Sequence, residues 1–466
     1  MDATDRGELP EQTAAEGPLG PRYRALTIGV LLTVVGVAFE ALAVATIMPA
    51  AVAELGGIEL YGWAFSAFLL TNLLGIVIAG GEADRIGPAT PFAIGVALFT
   101  IGLLIGGFAS SMAILIAGRV IQGLGGGVIG AIAYVTIGRG YPAPIRPRML
   151  AFMSSAWVVP GLVGPAIAGL IADAVGWRWV FLGLAPLPPL AAALAFPALR
   201  RIPAGSSQSR DLGRIWAAVR LTGGAGLLLA GLGQSRPLLA IPMVIGGGLL
   251  AGPALGRLLP AGTLRARAGL PAAVGVMGLL NLALFGVDAF VPLALVEVRD
   301  RSVAFAGLAL TASTICWTSG SWVQARFSSR VSRRRLVRTG LALVSIGCCG
   351  AALILLPRVS VLLGPVAWGV AGLGMGIAYS TLSLTILENA EAGREGEAAA
   401  SIQLANVLGG GIGTGIGGAA IGLLSGEEGG LRLALATQFL AMIAVLGVAL
   451  VIAGRLPSRQ PSLAPQ

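Results

Sequence analysis

Residues 25–53 read ALTIGVLLTVVGVAFEALAVATIMPAAVA, and this stretch decides the fold. Its only ionisable side chain is Glu40. At about 1.5 Å of rise per residue, a helix needs roughly 20 apolar residues to cross the hydrocarbon core of a bilayer. This run exceeds that length, and it is too long for the apolar core of a signal peptide. Residues 1–22 are rich in Glu, Asp, Pro, Gly and Thr and carry no apolar period, so they are expected to form a disordered cytoplasmic tail. Further apolar runs follow at 61–80, 92–110, 112–138, 150–172, 179–196, 216–233, 237–256, 271–295, 303–325, 337–356, 361–387, 398–424 and 431–454. The expectation is therefore 14 spans. The pair 216–233 and 237–256 is the weakest, because only Gln234, Ser235 and Arg236 separate the two and a re-entrant hairpin would serve as well.

The whole chain carries the same signal. Of its 466 residues, 56% are hydrophobic and 11% charged, with a mean hydropathy of +0.88. Soluble domains are about 25% charged, so an ordinary water-soluble enzyme is excluded. All 31 basic residues are arginine, which reads as the codon bias of a GC-rich genome and carries no functional weight. The absence of histidine matters more. It removes the side chain that titrates most easily near neutrality, the commonest metal ligand and every Ser-His or Cys-His scheme. Cys316, Cys348 and Cys349 lie in apolar runs without metal-site spacing and read as small core residues. No metal, cofactor or enzymatic activity is expected.

Arginine placement sets the orientation, since cytoplasmic loops gather basic residues. Six arginines fall in alternate loops (Arg178, Arg236, Arg299, Arg301, Arg358, Arg432), two inside spans (Arg119, Arg220), and the other 23 on the side of the termini. Both termini are thus expected in the cytoplasm, with the chain in a bacterial inner membrane. The net charge of +10 is then a set of loop anchors facing an anionic leaflet, not a nucleic-acid surface. The spans group as a six-helix bundle over 23–200, an additional pair over 214–258 and a second six-helix bundle over 268–456, followed by a cytoplasmic tail at 457–466. Weak symmetry supports this grouping. Phe39-Glu40 in the first span has a counterpart in Phe285 to Asp288, and each acid is followed by a proline, Pro49 or Pro292. Paired six-span bundles are a transporter design with the substrate held between them near the midplane.

Charges inside the membrane are costly unless paired or hydrated, so they mark function. Three stand out: Glu40, Arg119 and Asp288. Arg119 lies about 10 Å from the outer end of its span and Glu40 about 14 Å from Pro49, so the two can pair at similar depth. An inert ion pair that holds the bundle together is the competing reading. The functional reading is a carboxylate that loads and releases a proton beside a guanidinium. Asp288, with no basic residue near it in its bundle, suits either a proton carrier or a counter-charge to a cationic substrate. Gly123 to Gly127 and the run from Gly409 to Gly418 superficially match a dinucleotide loop. They sit inside apolar spans with no strand before them, so they read as surfaces for close helix packing.

These residues also resemble the major facilitator superfamily, in its fourteen-span drug/proton antiporter branch. The first-span signature of that branch, L-D-x-T-I-V-N-V-A-L-P, is similar to Phe39-Glu40-Ala41-Leu42-Ala43-Val44-Ala45-Thr46-Ile47-Met48-Pro49, with Glu40 in the place of the aspartate. The loop signature G-x-L-A-D-R-x-G-R-K is matched at Gly80, Ala83, Asp84, Arg85 and Gly87, whereas Glu82 replaces the leucine and Pro88-Ala89 the basic pair. The fourth-span pattern R-x-x-Q-G-x-G-G-G is complete from Arg119 and Gln122 through Gly127. The fifth-span antiporter motif G-x-x-G-P-x-x-G-G is similar to Gly161, Gly164, Pro165, Ala168 and Gly169, and Trp177-Arg178-Trp179-Val180-Phe181 resembles the W-R-W-I-F that opens the sixth span.

The resemblance implies an all-α membrane protein of major-facilitator type, with two six-helix bundles and two extra helices central in the sequence. It implies export of a small hydrophobic or cationic compound in exchange for protons, by a monomer in the lipid bilayer. It also implies gating at Gly80, Asp84, Arg85 and Gly87, and proton coupling through Glu40, Arg119 and Asp288. Asn72, Gln122, Trp157, Asn281, Trp317, Tyr379, Gln403 and Asn406 are candidates to line a substrate cavity; for each, an interhelical hydrogen bond or an interface aromatic is the competing reading. Export of one metabolite, lipid or self-made antibiotic, or a receptor that transports nothing, remain open at this point.

Overall fold

The computed structural model describes residues 17–142, 144–205, 211–328, 330–389, 395–426 and 429–456. Among the described residues there is no strand, and 14 helices are long and apolar enough to cross a membrane. They are α1 (Arg24–Leu55), α2 (Tyr61–Ile86), α3 (Ala89–Gly107), α4 (Met112–Gly140), α5 (Arg146–Val175), α6 (Arg178–Leu199) and α7 (Leu212–Leu232). The remainder are α8 (Pro237–Leu258), α9 (Leu270–Val298), α10 (Val303–Phe327), α11 (Arg333–Leu353), α12 (Leu363–Glu388), α13 (Glu395–Leu424) and α14 (Gly430–Ile452). Expectations for residues 1–16 and 457–466, and for Arg6, Arg210, Arg394 and Arg459, lie outside the described residues.

Each apolar run has its helix, and several helices outlast their runs. Hydropathy drops at the first charges, but the backbone ladder does not. Thus α2 carries Glu82, Asp84 and Arg85 in its last turns and stops at Gly87, whose φ of +82° favours glycine. α7 and α8, of 21 and 22 residues, are two full spans rather than a re-entrant hairpin. Residues 17–22, expected within the disordered tail, form turns instead. The Thr27 hydroxyl donates to the Pro18 carbonyl at 2.6 Å, and Tyr23 packs its ring on Tyr141. The cysteines also divide: Cys348 is buried and Cys316 half-buried, whereas Cys349 is exposed. Successive helical residues point about 100° apart, so neighbours in one apolar run face different surroundings.

Two spans are interrupted. α6 breaks at Ala185 and Pro186. α9 leaves regular helix immediately after Asp288, at Ala289 and Phe290, then continues through Val291–Leu293 into a π-helical stretch, Ala294–Val298. Such irregular backbone inside a membrane needs protein partners. Gln438 of α14 donates to the Gly286 carbonyl at 2.8 Å and to Gly413 of α13 at 2.9 Å, and the Tyr61 hydroxyl donates to the Ala289 carbonyl at 2.9 Å.

Helix packing rests on glycine, because lipid supplies no hydrophobic drive between helices. A Cβ on Gly123 or Gly127 of α4 would lie 2.2 or 2.0 Å from the Phe68 or Asn72 carbonyl oxygen of α2. Helices α1–α6 and α9–α14 pack largely among themselves and meet along α2–α13 and α5–α10. That meeting is uneven. At the end remote from the termini, Gly62 of α2 lies against Gly418 of α13, where a Cβ would be 2.4 Å from the partner Cα. Nearby, Ser66 and Thr414 share a hydrogen bond of 2.9 Å, and Asp173 of α5 accepts from the Ala304 amide of α10 at 3.1 Å. Towards the termini, a Cβ on Gly80 or Gly81 of α2 would meet nothing within 4 Å among the described residues.

α7 and α8, central in the sequence, are peripheral in space. α7 lies on the seam between α2 and α13, where Leu221 and Leu229 pack with Leu70, Leu404 and Leu408, and Thr222 donates to the Leu70 carbonyl at 3.0 Å. α8 lies outside it, and only its Gly247 and Ala254 are buried.

Candidate functional site

The first site grows from α1 and α4. The unbroken apolar face of α1 carries Glu40 into the bundle, and the small residues of α4 bring Arg119 and Gln122 beside it. Glu40 and Arg119 are 1% and 2% exposed, so water neither screens nor competes for them. Arg119 donates from Nη1 to Glu40 Oε1 and to Gln122 Oε1 at 2.8 Å, and from Nε to the Ala64 carbonyl at 2.9 Å. Its guanidinium carbon lies 4.1 Å from the centre of the Phe68 ring. The cation thus has four supports, three polar and one aromatic. The acid has one. Glu40 Oε2 and Gln122 Nε2 are buried with no hydrogen-bond partner among the described residues. A buried pair of this kind is weak as a stabilising device, because desolvation offsets most of the attraction. A carboxylate held through one oxygen keeps its other oxygen free for a proton or a water.

The second site is the break in α9. Asp288, the last residue before the irregular backbone, accepts from the Trp368 indole of α12 at 2.7 Å, and no ion pair involves it among the described residues. Tyr61, Phe65 and Phe290 stack beside it with ring centres 5.5 Å apart. Trp368, Tyr61 and Gln438 escaped the sequence reading, each looking like an ordinary residue of an apolar run. The signal that could have found Gln438 is that it is the one amide in 431–454.

The cavity candidates disperse. Gln122 belongs to the Glu40 network. Asn72 backs the glycine face of α4, with its amide 3.2 Å from where a Gly126 Cβ would stand. Asn281 is buried against α13 and donates to the Met277 carbonyl of its own helix at 2.8 Å. Trp317 and Tyr379 form a ring pair 5.8 Å apart. Gln403 and Asn406 lie one turn apart on α13, both half-buried. Trp157 of α5 is 48% exposed.

The motif positions fall into two places. Near the termini, Asp84 pairs with Arg139 of α4 while Arg85 turns back on Glu82, with Nη2 to Oε2 at 2.7 Å. Glu82, the departure from the loop signature, therefore occupies the arginine within its own helix. The fifth-span motif lies at the α5–α10 contact. A Cβ on Gly161 would stand 2.1 Å from Thr314, one on Gly169 2.7 Å from the Ala304 Cα, and one on Gly307 2.6 Å from the Pro165 carbonyl. Gly164 faces the Phe39 ring, one residue before Glu40.

The profile of the Major Facilitator Superfamily matches residues 26–414. A Mycobacterium tuberculosis protein described as a probable multidrug-efflux transporter is 28% identical over 408 residues, covering 82% of this chain and 84% of its own. The multidrug transporter protein MdtP of Bacillus subtilis is 31% identical over 166 residues, 36% of this chain and 30% of its own. Among solved structures, a bacterial homologue of the human lysosomal transporter Spinster, inward-facing and unoccupied, has a TM-score of 0.66 at 16% identity, over 93% of this chain and 95% of its own. A POT family transporter in complex with 5-aminolevulinic acid has a TM-score of 0.67 at 14% identity, over 93% of this chain and 96% of its own. At these identities the structural likeness is one of fold.

Proposed function

The chain belongs to the major facilitator superfamily, a family of transporters rather than enzymes, and from that premise we propose that it is a proton-coupled exporter of small hydrophobic or cationic compounds. It works as a monomer in a bacterial inner membrane with both termini in the cytoplasm, and its bundles over 23–200 and 268–456 rock about the site between them. The observation that carries the coupling is the asymmetry at Glu40: Arg119 is held by several partners, whereas Glu40 is held through one oxygen and keeps the other free. A proton arriving from outside neutralises Glu40, Asp288 or both and favours release of a cationic substrate. The guanidinium of Arg119 favours the return to carboxylate on the cytoplasmic side. Open space at Gly80 and Gly81 of α2 and close contact at the far end fit a resting form that loads from the cytoplasm. The efflux named in the relatives supports the direction of transport.

The test is a dye and drug accumulation panel in cells expressing the chain, with and without a proton uncoupler, repeated for E40Q and D288N at matched membrane levels. Export that needs the proton gradient and is lost in at least one variant is expected. Full proton-dependent export by both variants would refute the coupling; a response confined to one compound would narrow the substrate.

A further inference from the structure

We propose that Arg220 and Arg257 form a binding site for the phosphate headgroup of an anionic phospholipid, in the leaflet on the side of the termini. α7 begins at Leu212, a full turn before its apolar run, so Arg220 stands eight residues, about 12 Å, inside the helix. Arg257 occupies the last turn of the antiparallel neighbour α8. The helices touch backbone to backbone further in, where a Cβ on Gly224 would be 2.7 Å from the Ala251 amide nitrogen. Towards the termini they part around a cavity of about 90 Å³, lined by both arginines with Ala217, Leu249, Leu250 and Pro253. A water needs roughly 10–15 Å³ of such space, so the cavity has room for a larger group.

Its charge is unanswered by protein. Arg119, Arg139, Arg178, Arg299, Arg333 and Arg334 each bond a carboxylate or carbonyl. Arg220 and Arg257 make no hydrogen bond or ion pair with any described residue, and no acid lines the cavity. Guanidinium groups facing lipid hydrocarbon are costly unless paired. The outward face of α8 is unburied and the cavity wall is apolar, so the partner must bring both an anion and hydrocarbon. A phospholipid supplies both, and basic clefts between helices at this depth are read as headgroup sites. Trp216, 61% exposed one turn nearer the termini, fits the interfacial level.

The test titrates phosphatidylglycerol into the purified chain in neutral detergent, with phosphatidylcholine and inorganic phosphate as parallel titrants, and reads bound adducts by native mass spectrometry. Phosphatidylglycerol is expected to be retained where phosphatidylcholine is not. R220Q and R257Q each weaken retention roughly fivefold, the double variant weakens it by about the product, and R220K/R257K keeps it. Undiminished retention by the glutamine double variant, loss in the charge-keeping double variant, or inorganic phosphate binding as tightly as the lipid would overturn the proposal.

Discussion

Replacing either member of the Glu40–Arg119 pair should have very different consequences, and the difference stems from the partners each would leave behind. In E40Q, Arg119 keeps the Ala64 carbonyl, Gln122 Oε1 and the Phe68 face, and the new amide still offers an oxygen. Arg119 then stays buried without a counter-charge, but its three remaining supports should hold the cost to about 1.5–3 kcal/mol, below the roughly 3–5 kcal/mol of a buried pair broken with less support left. In R119Q, Glu40 loses the charged partner that answers its buried carboxylate, and its second oxygen is already unpaired among the described residues. Breaking a buried pair from this side costs roughly 3–5 kcal/mol. E40Q/R119Q, with no charge left to strand, should fall within about 1–2 kcal/mol of wild type.

The assay is unfolding of the detergent-solubilised variants at a fixed scan rate and a single pH, since large membrane proteins unfold irreversibly and only matched scans compare. Equal deficits for the two single variants, or a double variant as poor as their sum, would refute this account of the pair.

Contacts elsewhere lead to three further outcomes. A Cβ at Gly62 meets backbone that cannot yield, so G62V should prise open the end remote from the termini and expose S66C to an impermeant thiol reagent in a background lacking native cysteines; G80V, facing open space, should leave that labelling at the wild-type level. W368F should cost about 1.5–3 kcal/mol in thermal unfolding by leaving Asp288 without its donor, and D288N, which keeps an oxygen for the indole, should cost less. Y141F should lose about 1 kcal/mol with its 2.9 Å bond to Thr27, equally at pH 6 and 9, because burial pushes the Tyr141 phenol up to about 12 and it stays protonated throughout.

The spans were legible because hydropathy measures a property of a segment alone, the transfer of some twenty residues into hydrocarbon. The Glu40–Arg119 pair was legible for a related reason. Depth along a helix is arithmetic, and two opposite charges at one depth in one bundle have few alternatives to each other. What stayed hidden depends on rotation about the helix axis and on which helices adjoin. Trp368 reads like any interface aromatic until α12 turns its indole onto Asp288. Asn281 reads the same in sequence whether it faces a cavity or, as here, lies buried with its amide on the Met277 carbonyl of its own helix. Cys348 and Cys349, adjacent in one run, part into core and surface. The position of α7 and α8 was illegible for the strongest reason: insertion in the middle of a sequence says nothing about insertion in the middle of a fold. Both flanks of the pair lie on the side of the termini, so a hairpin can be added to the outside of a twelve-helix body without disturbing the order of α9–α14. Its place on the α2–α13 seam joins the two groups, with Leu229 against Gly415 of α13 and Thr222 bonded to the Leu70 carbonyl of α2. On the proposed rocking, the contacts of Leu229 with α13 and of Thr222 with α2 would have to slide.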